Sequence, residues 1–244
     1  MIRSSFIFLD KVGQKKEQQI WKQGIETWQD FLNSEIKGIS STMKKRYDQV
    51  IRLAKLNLDY ENPGFFKEFM AHGEMWRIFN EFKEETVYLD IETSGWHITC
   101  IGLYNGHEVK HFIRGINLNK KYFLDELYKY KVVITFNGSS FDIPMLNKYF
   151  NHDIKLAHID LRHVCSKIGL HGGLKKIEKT LKIKRDKEVQ SMLGNEAVYC
   201  WEMWVHTGKR KYLDLLIKYN TEDIVNLEPL AEYSINKLWK KIKI

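Results

Sequence analysis

Apolar residues along this chain follow a helical period up to residues 84–85 and a strand-like one for the next few dozen positions. Between residues 13 and 84 helix-forming residues dominate, with breaks at Gly24, at Gly38 and at the Asn62-Pro63-Gly64 turn. Thr27 is placed to cap a helix carrying Trp28, Phe31 and Leu32. Ser40 or Ser41 is placed to cap the next, whose apolar positions Tyr47, Val50, Ile51 and Leu53 recur near the helical period. After Glu84-Glu85 come Val87-Tyr88-Leu89, then Ile98 to Leu103, then Val109 to Ile113. Asn105-Gly106 between two of these apolar runs is a strong hairpin signal. A helix over Lys120–Tyr130, a buried-type strand over Val132–Phe136, a helix after Phe141 and a short strand ending at Asp160 continue the alternation. From about Leu161 the chain reads as helical, with a loop around Lys184–Asn195. Three successive strands, then strand–helix alternation, then helices predict an α/β fold: a mixed sheet with helices on both faces. A small all-helical domain over 1–84 is expected to precede it, leaving 85–244 to the sheet domain.

A length of 244 residues agrees with one main domain and a smaller one. Cys100, Cys165 and Cys200 form neither an even framework nor a close metal-ligand pair, which excludes a disulfide scaffold and a structural zinc module. No apolar run approaches the ~20 residues that span a bilayer, and Phe6-Ile7-Phe8-Leu9 is too brief for a signal peptide. The expectation is a cytosolic, reduced protein without a membrane partner. The formal net charge is +8. Residues 161–190 concentrate it, with nine Lys/Arg against three Asp/Glu, a net +6. A solvated helix face and a phosphate-binding rim both account for that stretch.

Three acidic patterns carry the candidate chemistry. Asp90 and Glu92, in Leu89-Asp90-Ile91-Glu92-Thr93, project on the same face at the end of the first strand. Crowded carboxylates call for a counter-charge, and Mg²⁺ or Mn²⁺ prefers such oxygen ligands; two solvated acids at an exposed strand end are the plainer alternative. Asn137-Gly138-Ser139-Ser140-Phe141-Asp142 follows the buried strand, with Asp142 in the first turn of a helix, where an acid also favours the positive dipole end. Tyr219 and Asp223 lie four apart on one helix face, a spacing that ordinary half-buried contacts share.

In this order, Asp-x-Glu, Asn-x-x-x-Phe-Asp and Tyr-x-x-x-Asp resemble the three exonuclease motifs of the ribonuclease H-like superfamily. The branch with Tyr in the third motif, that of the proofreading domain of family B DNA polymerases, fits; the branch with His does not, since the position five before Asp223 is Lys218. More narrowly, the chain resembles the YprB-type ribonuclease H-like exonucleases. The supporting segments are Phe6-Ile7-Phe8-Leu9, Gly24-Ile25-Glu26-Thr27-Trp28, His158-Ile159-Asp160-Leu161 and Gly173-Leu174-Lys175-Lys176-Ile177-Glu178. The resemblance implies a five-stranded mixed sheet and a 3′-to-5′ exonuclease acting on single-stranded DNA or RNA through two divalent metal ions, Mg²⁺ or Mn²⁺. It implies that Asp90 bridges both ions, that Glu92 and Asp223 complete the nucleophile-side site, and that Asp142 holds the second ion. Tyr219 would orient the attacking water, its ordinary pKa of about 10 making it a poor base at neutral pH. Asn137 and Phe141 would shape the strand's path, with Phe141 expected in the core rather than as a stacking platform. Lys175 and Lys176 would lie along the nucleic acid.

His158 beside Asp160 reads as structural, and His171-Gly172-Gly173 as a helix-entry loop. No Gly-x-Gly-x-x-Gly and no Walker loop occurs, so no nucleotide cofactor is expected. Gly24-Ile25-Glu26-Thr27-Trp28 and Ile36-Lys37-Gly38-Ile39-Ser40, followed by Lys44, Lys45 and Arg46, are similar to helix-hairpin-helix elements, which imply sequence-independent phosphate contacts; simple packing is the alternative. The rival to a nuclease is a catalytically silent nucleic-acid-binding module that recruits partners, and a third reading is a protein-interaction scaffold.

Overall fold

The computed structural model describes residues 1–243 and divides into two compact units, Met1–Lys83 with Ile235–Ile244, and Glu84–Ser234. The sequence expectation gave all of 85–244 to the sheet domain; the last ten residues instead belong with the helical unit.

The helical unit contains α1 (Gln14–Trp21), α2 (Trp28–Asn33), α3 (Ser41–Asp59) and α4 (Gly64–Phe69), then a 3-10 stretch, His72–Glu81. Thr27 caps α2 in a reciprocal capping box with Asp30, and Ser40 caps α3 by accepting from the Met43 amide. The unit is filled by aromatic rings, among them Phe6, Phe8, Trp28, Phe31, Tyr47 and Phe66, all buried. Arg77 is fully buried among them and is paired with Glu17 at 3.0 Å and Glu74 at 2.8 Å.

The sheet unit begins with β1 (Thr86–Ser94), β2 (His97–Tyr104) and β3 (Val109–Ile113), followed by α5 (Lys120–Leu127), β4 (Val132–Thr135), α6 (Asp142–Phe150) and β5 (Ala157–Asp160). Helices α7 (Leu161–Lys167), α8 (Leu174–Leu181), α9 (Gly194–Thr207), α10 (Arg210–Val225) and α11 (Leu227–Ile242) complete the order. The strands lie in the order β3-β2-β1-β4-β5. β1–β2 and β2–β3 are antiparallel, whereas β1–β4 and β4–β5 are parallel, giving a mixed five-stranded sheet. At the β2–β3 turn the Asn105 side chain accepts from the amides of His107 and Glu108, and Gly106 takes a φ of +92°.

Strand alternation sorts the two faces. Val87, Leu89 and Ile91 of β1 pack with Phe123, Leu127, Leu146 and Phe150 of α5 and α6. Tyr88, Asp90 and Glu92 therefore point to the opposite face, where Cys100 of β2 packs with Leu213, Leu216 and Tyr219 of α10 and Ala197 and Cys200 of α9. Pairing shifts between Glu92 and Thr93, whose partners are Cys100 and Ile98, so Thr99 is an extra residue on β2. This bulge explains how Ile98 and Ile101, three apart, share one core face. Among the described residues no helix is long and apolar enough to cross a membrane.

Candidate metal and active site

Asp90 and Glu92 leave β1 on the face covered by α10, which contributes Asp223 from its last turn and a half. One carboxylate oxygen from each of the three lies within 4.8 Å of the others. Asp142, the first residue of α6, stands outside that trio; its Oδ1 accepts the Ile91 amide at 3.1 Å, which anchors it beside the strand carrying Asp90. The crowding has an electrostatic signature. Burial, and then the charges of Asp142, Asp223 and Glu92, push the Asp90 carboxyl well above its ordinary value. Burial followed by Asp223 and Asp142 does the same to Glu92, and burial pushes Asp142 up to about 7. For Asp223, burial outweighs the opposing Arg185. Four carboxyls that resist ionisation together, presenting only oxygen donors, fit a hard divalent cation of the Mg²⁺ or Mn²⁺ kind.

Two cations of the chain already stand at this site. Arg185 is buried, grips Glu178 with Nε at 2.6 Å and Nη2 at 2.8 Å, and pairs through Nη2 with Asp223. Lys175 of α8 places its Nζ 4.2 Å from the centre of the Tyr219 ring, buried and without a hydrogen-bond partner. Burial lowers its pKa, partly countered by the Asp223 charge. The Tyr219 hydroxyl is pushed far up by burial and then by the Asp223 charge, so it stays a phenol at neutral pH.

A family model described as the RNase_H superfamily matches residues 87–235. The chain belongs to the RNase H superfamily. Among solved structures, the family B DNA polymerase from the hyperthermophilic archaeon Pyrobaculum calidifontis is similar at 13% identity and a TM-score of 0.45, over 64% of this chain and 24% of that one. This chain thus spans about a quarter of that polymerase's length. No curated protein matches it.

The RNase H-type sheet holds the remaining expected residues in varied settings. Asn137 takes a left-handed φ of +69° after β4, and its Oδ1 accepts from Arg162 Nη1 at 2.6 Å. Asp160 ties this loop down: its carboxylate accepts from the Asn137 amide at 2.8 Å, the Ser139 amide at 3.1 Å and the Ser139 hydroxyl at 2.5 Å. Burial raises the Asp160 carboxyl, but the hydrogen bonds from Ser139, Asn137 and Arg162 outweigh it and hold the group below its ordinary range. His158 is buried and bonded to Thr135 Oγ1 at 2.8 Å, a structural setting.

Two expectations are corrected. Phe141 is 42% exposed rather than in the core, because it is the N-cap of α6 and the helix meets the core through Ile143 and Leu146 instead. Arg185, counted in the basic stretch, is withdrawn from the surface by Glu178 and Asp223. Lys44 is drawn to Asp48 at 2.6 Å and lies 5.1 Å from the centre of the Phe31 ring, while Lys45 and Arg46 remain exposed. Lys176 is exposed as well. Sequence reasoning gave Arg185 no place at the acidic site and passed over Asn220 and Gly102. A lone Gly inside the Ile98–Leu103 strand run was the available signal, since such a glycine often marks a close approach.

Proposed function

We propose that this chain is a metal-dependent nuclease that hydrolyses phosphodiester bonds of single-stranded DNA or RNA as a 3′-to-5′ exonuclease, a YprB-type member of the superfamily with Tyr in its third motif. The observation that carries the reading is the convergence of Asp90, Glu92 and Asp223 within 4.8 Å, with Asp142 anchored beside them. Divalent cations bound there would supply charge stabilisation to the attacking and leaving oxygens of an in-line displacement. The side chains do the rest. Tyr219 keeps its proton, so its hydroxyl orients the attacking water by hydrogen bonding rather than by removing a proton. Lys175, over the Tyr219 ring and without a hydrogen-bond partner, offers positive charge to a phosphate near the acidic cluster. Exposed aromatic rings suit unpaired bases: Phe141 beside Asp142, and Trp96, 77% exposed in the β1–β2 turn with Lys148 Nζ 5.1 Å from its ring centre. Lys45 and Arg46 of the helical unit, with Lys176, add sequence-independent phosphate contacts.

One observation favours the silent-module reading: the Arg185 guanidinium already compensates Asp223. The two readings part on a single assay. End-labelled single-stranded DNA and RNA are incubated with the full chain and Mn²⁺ or Mg²⁺ and followed through time. The nuclease reading expects metal-dependent shortening from the 3′ end, falling at least about 100-fold in Asp90→Asn and Asp223→Asn. Binding without cleavage by the unaltered protein supports the silent module, and near-normal rates in either variant overturn the site.

A further inference from the structure

Asn220 and Gly102 form a pair to which neither the acidic pattern nor the superfamily assigns a role. Asn220 follows Tyr219 on α10 and is fully buried. Its Nδ2 donates to Asp90 Oδ2 at 2.9 Å and, more weakly, to the Asp90 main-chain oxygen at 3.4 Å. Its Oδ1 lies 3.9 Å from Cys100 Sγ. Gly102 is the cross-strand partner of Asp90. A Cβ there would sit 2.0 Å from Asn220 Oδ1 and 3.0 Å from Ile224 Cδ1. Strand β2 thus omits a side chain at the register position where α10 inserts its amide.

The choice of an amide matters. Asp223 is held by Arg185, a cation that offsets the carboxylate's charge. Asp90 is held by a neutral donor, which fixes direction and leaves the full negative charge for a bound cation. Asp90 also has the most to resist, since the charges of Asp142, Asp223 and Glu92 all act on it. An unrestrained carboxylate in that field would rotate away from its neighbours and open the cluster. Because the same Nδ2 also reaches the Asp90 main-chain oxygen, the carboxylate is referenced to the strand itself. We propose that Asn220, admitted by Gly102, is a positioning residue that holds the Asp90 carboxylate in the orientation divalent-cation binding requires. This rests on the metal-nuclease reading above.

The test is Mn²⁺ titration calorimetry on the full-length unaltered protein, Asn220→Ala, Gly102→Ala and the double variant, with the melting temperature of each metal-free protein alongside. Removing an outer partner of a metal ligand weakens affinity about 10–100-fold, so each single variant is expected to bind Mn²⁺ at least about tenfold more weakly. The two act through one contact, so the double variant should bind no more weakly than Asn220→Ala. If Asn220→Ala does not fold, Asn220→Ser, too short to span to Asp90, takes its place with the same expectation. Lowered melting temperatures with unchanged Mn²⁺ affinity would make Asn220 a packing residue and overturn the proposal, as would full additivity in the double variant. Absence of Mn²⁺ binding by the unaltered protein would bring down the metal-site reading, and this inference with it, so the two failures are told apart by that first titration.

Discussion

Asp142 is where proton and cation compete most legibly. Its carboxyl is pushed up to about 7 by burial, against an ordinary value near 4. Between those values the metal-free folded protein holds a proton that the unfolded chain has released, so this group's contribution to stability falls as pH rises through the window. Asp142→Asn keeps an oxygen for the Ile91 amide and removes the ionisation. Relative to the unaltered protein it should therefore gain stability from about pH 4 to 7, by at most about 1.4 kcal/mol per pH unit. Thermal unfolding in chelator across that range checks it; parallel stability curves would show that Asp142 titrates as an ordinary acid. Tyr219→Phe removes only a hydroxyl from a ring that stays packed, so kcat should fall about 100-fold with KM little changed. A rise in KM alone would assign the hydroxyl to substrate binding. Asp90, Glu92, Asp142 and Asp223 were legible because their types and spacings sit inside short motifs. Arg185 and Asn220 were not, because what defines them is a partner 38 or 130 residues away, chosen by tertiary packing.

At the level of elements, period-2 alternation is what delivers two acids of β1 to the α10 face while Val87, Leu89 and Ile91 fill the other. The hairpin at Asn105-Gly106 and the caps at Thr27 and Ser40 were readable for the same local reason: each is decided within four residues. The Thr99 bulge was not, since an extra residue is defined only against its partner strand. The β4–α6 loop that precedes Asp142 is likewise set from a distance, by Asp160 at the end of β5. Asp160→Ala would strip the acceptor from the Asn137, Ser139 and Arg162 amides. Hydrogen bonds to a charged group contribute about 1.5–3 kcal/mol each, with water recovering part of the loss at this loop. A destabilisation of about 2–4 kcal/mol in urea unfolding, with faster amide exchange over residues 137–141, is the expected outcome. Unchanged exchange there would mean that the left-handed turn at Asn137 holds itself.

The chain as a whole sets a trap for anyone dividing it by sequence. Helix α11 runs unbroken through Ser234, with no Gly or Pro beyond Pro229 to mark a boundary. Yet residues 235–244 belong to the helical unit. Trp239 lies there with its ring 5.8 Å from that of Trp21 and 6.3 Å from that of Trp76, and Gln18 donates to the Ile242 carbonyl. Cutting away residues 1–83 alone would leave Trp239 and the Ile242 carbonyl without those partners. A fragment of residues 84–244 is therefore expected to bind hydrophobic dye and elute as aggregate in size-exclusion chromatography. A fragment of residues 84–234 carries all four acids, Tyr219, Lys175 and Arg185, and ends where the sheet unit ends. It should stay monodisperse and keep the Mn²⁺ affinity of the full chain within about threefold, a margin of roughly 0.7 kcal/mol. Without Lys45 and Arg46 its binding to single-stranded DNA should also depend less steeply on salt, each lost phosphate contact taking about 0.7 from the slope of log affinity. Equal slopes in the fragment and the full chain would leave the helical unit with packing as its only role, while aggregation of both fragments would make the two units a single folding unit.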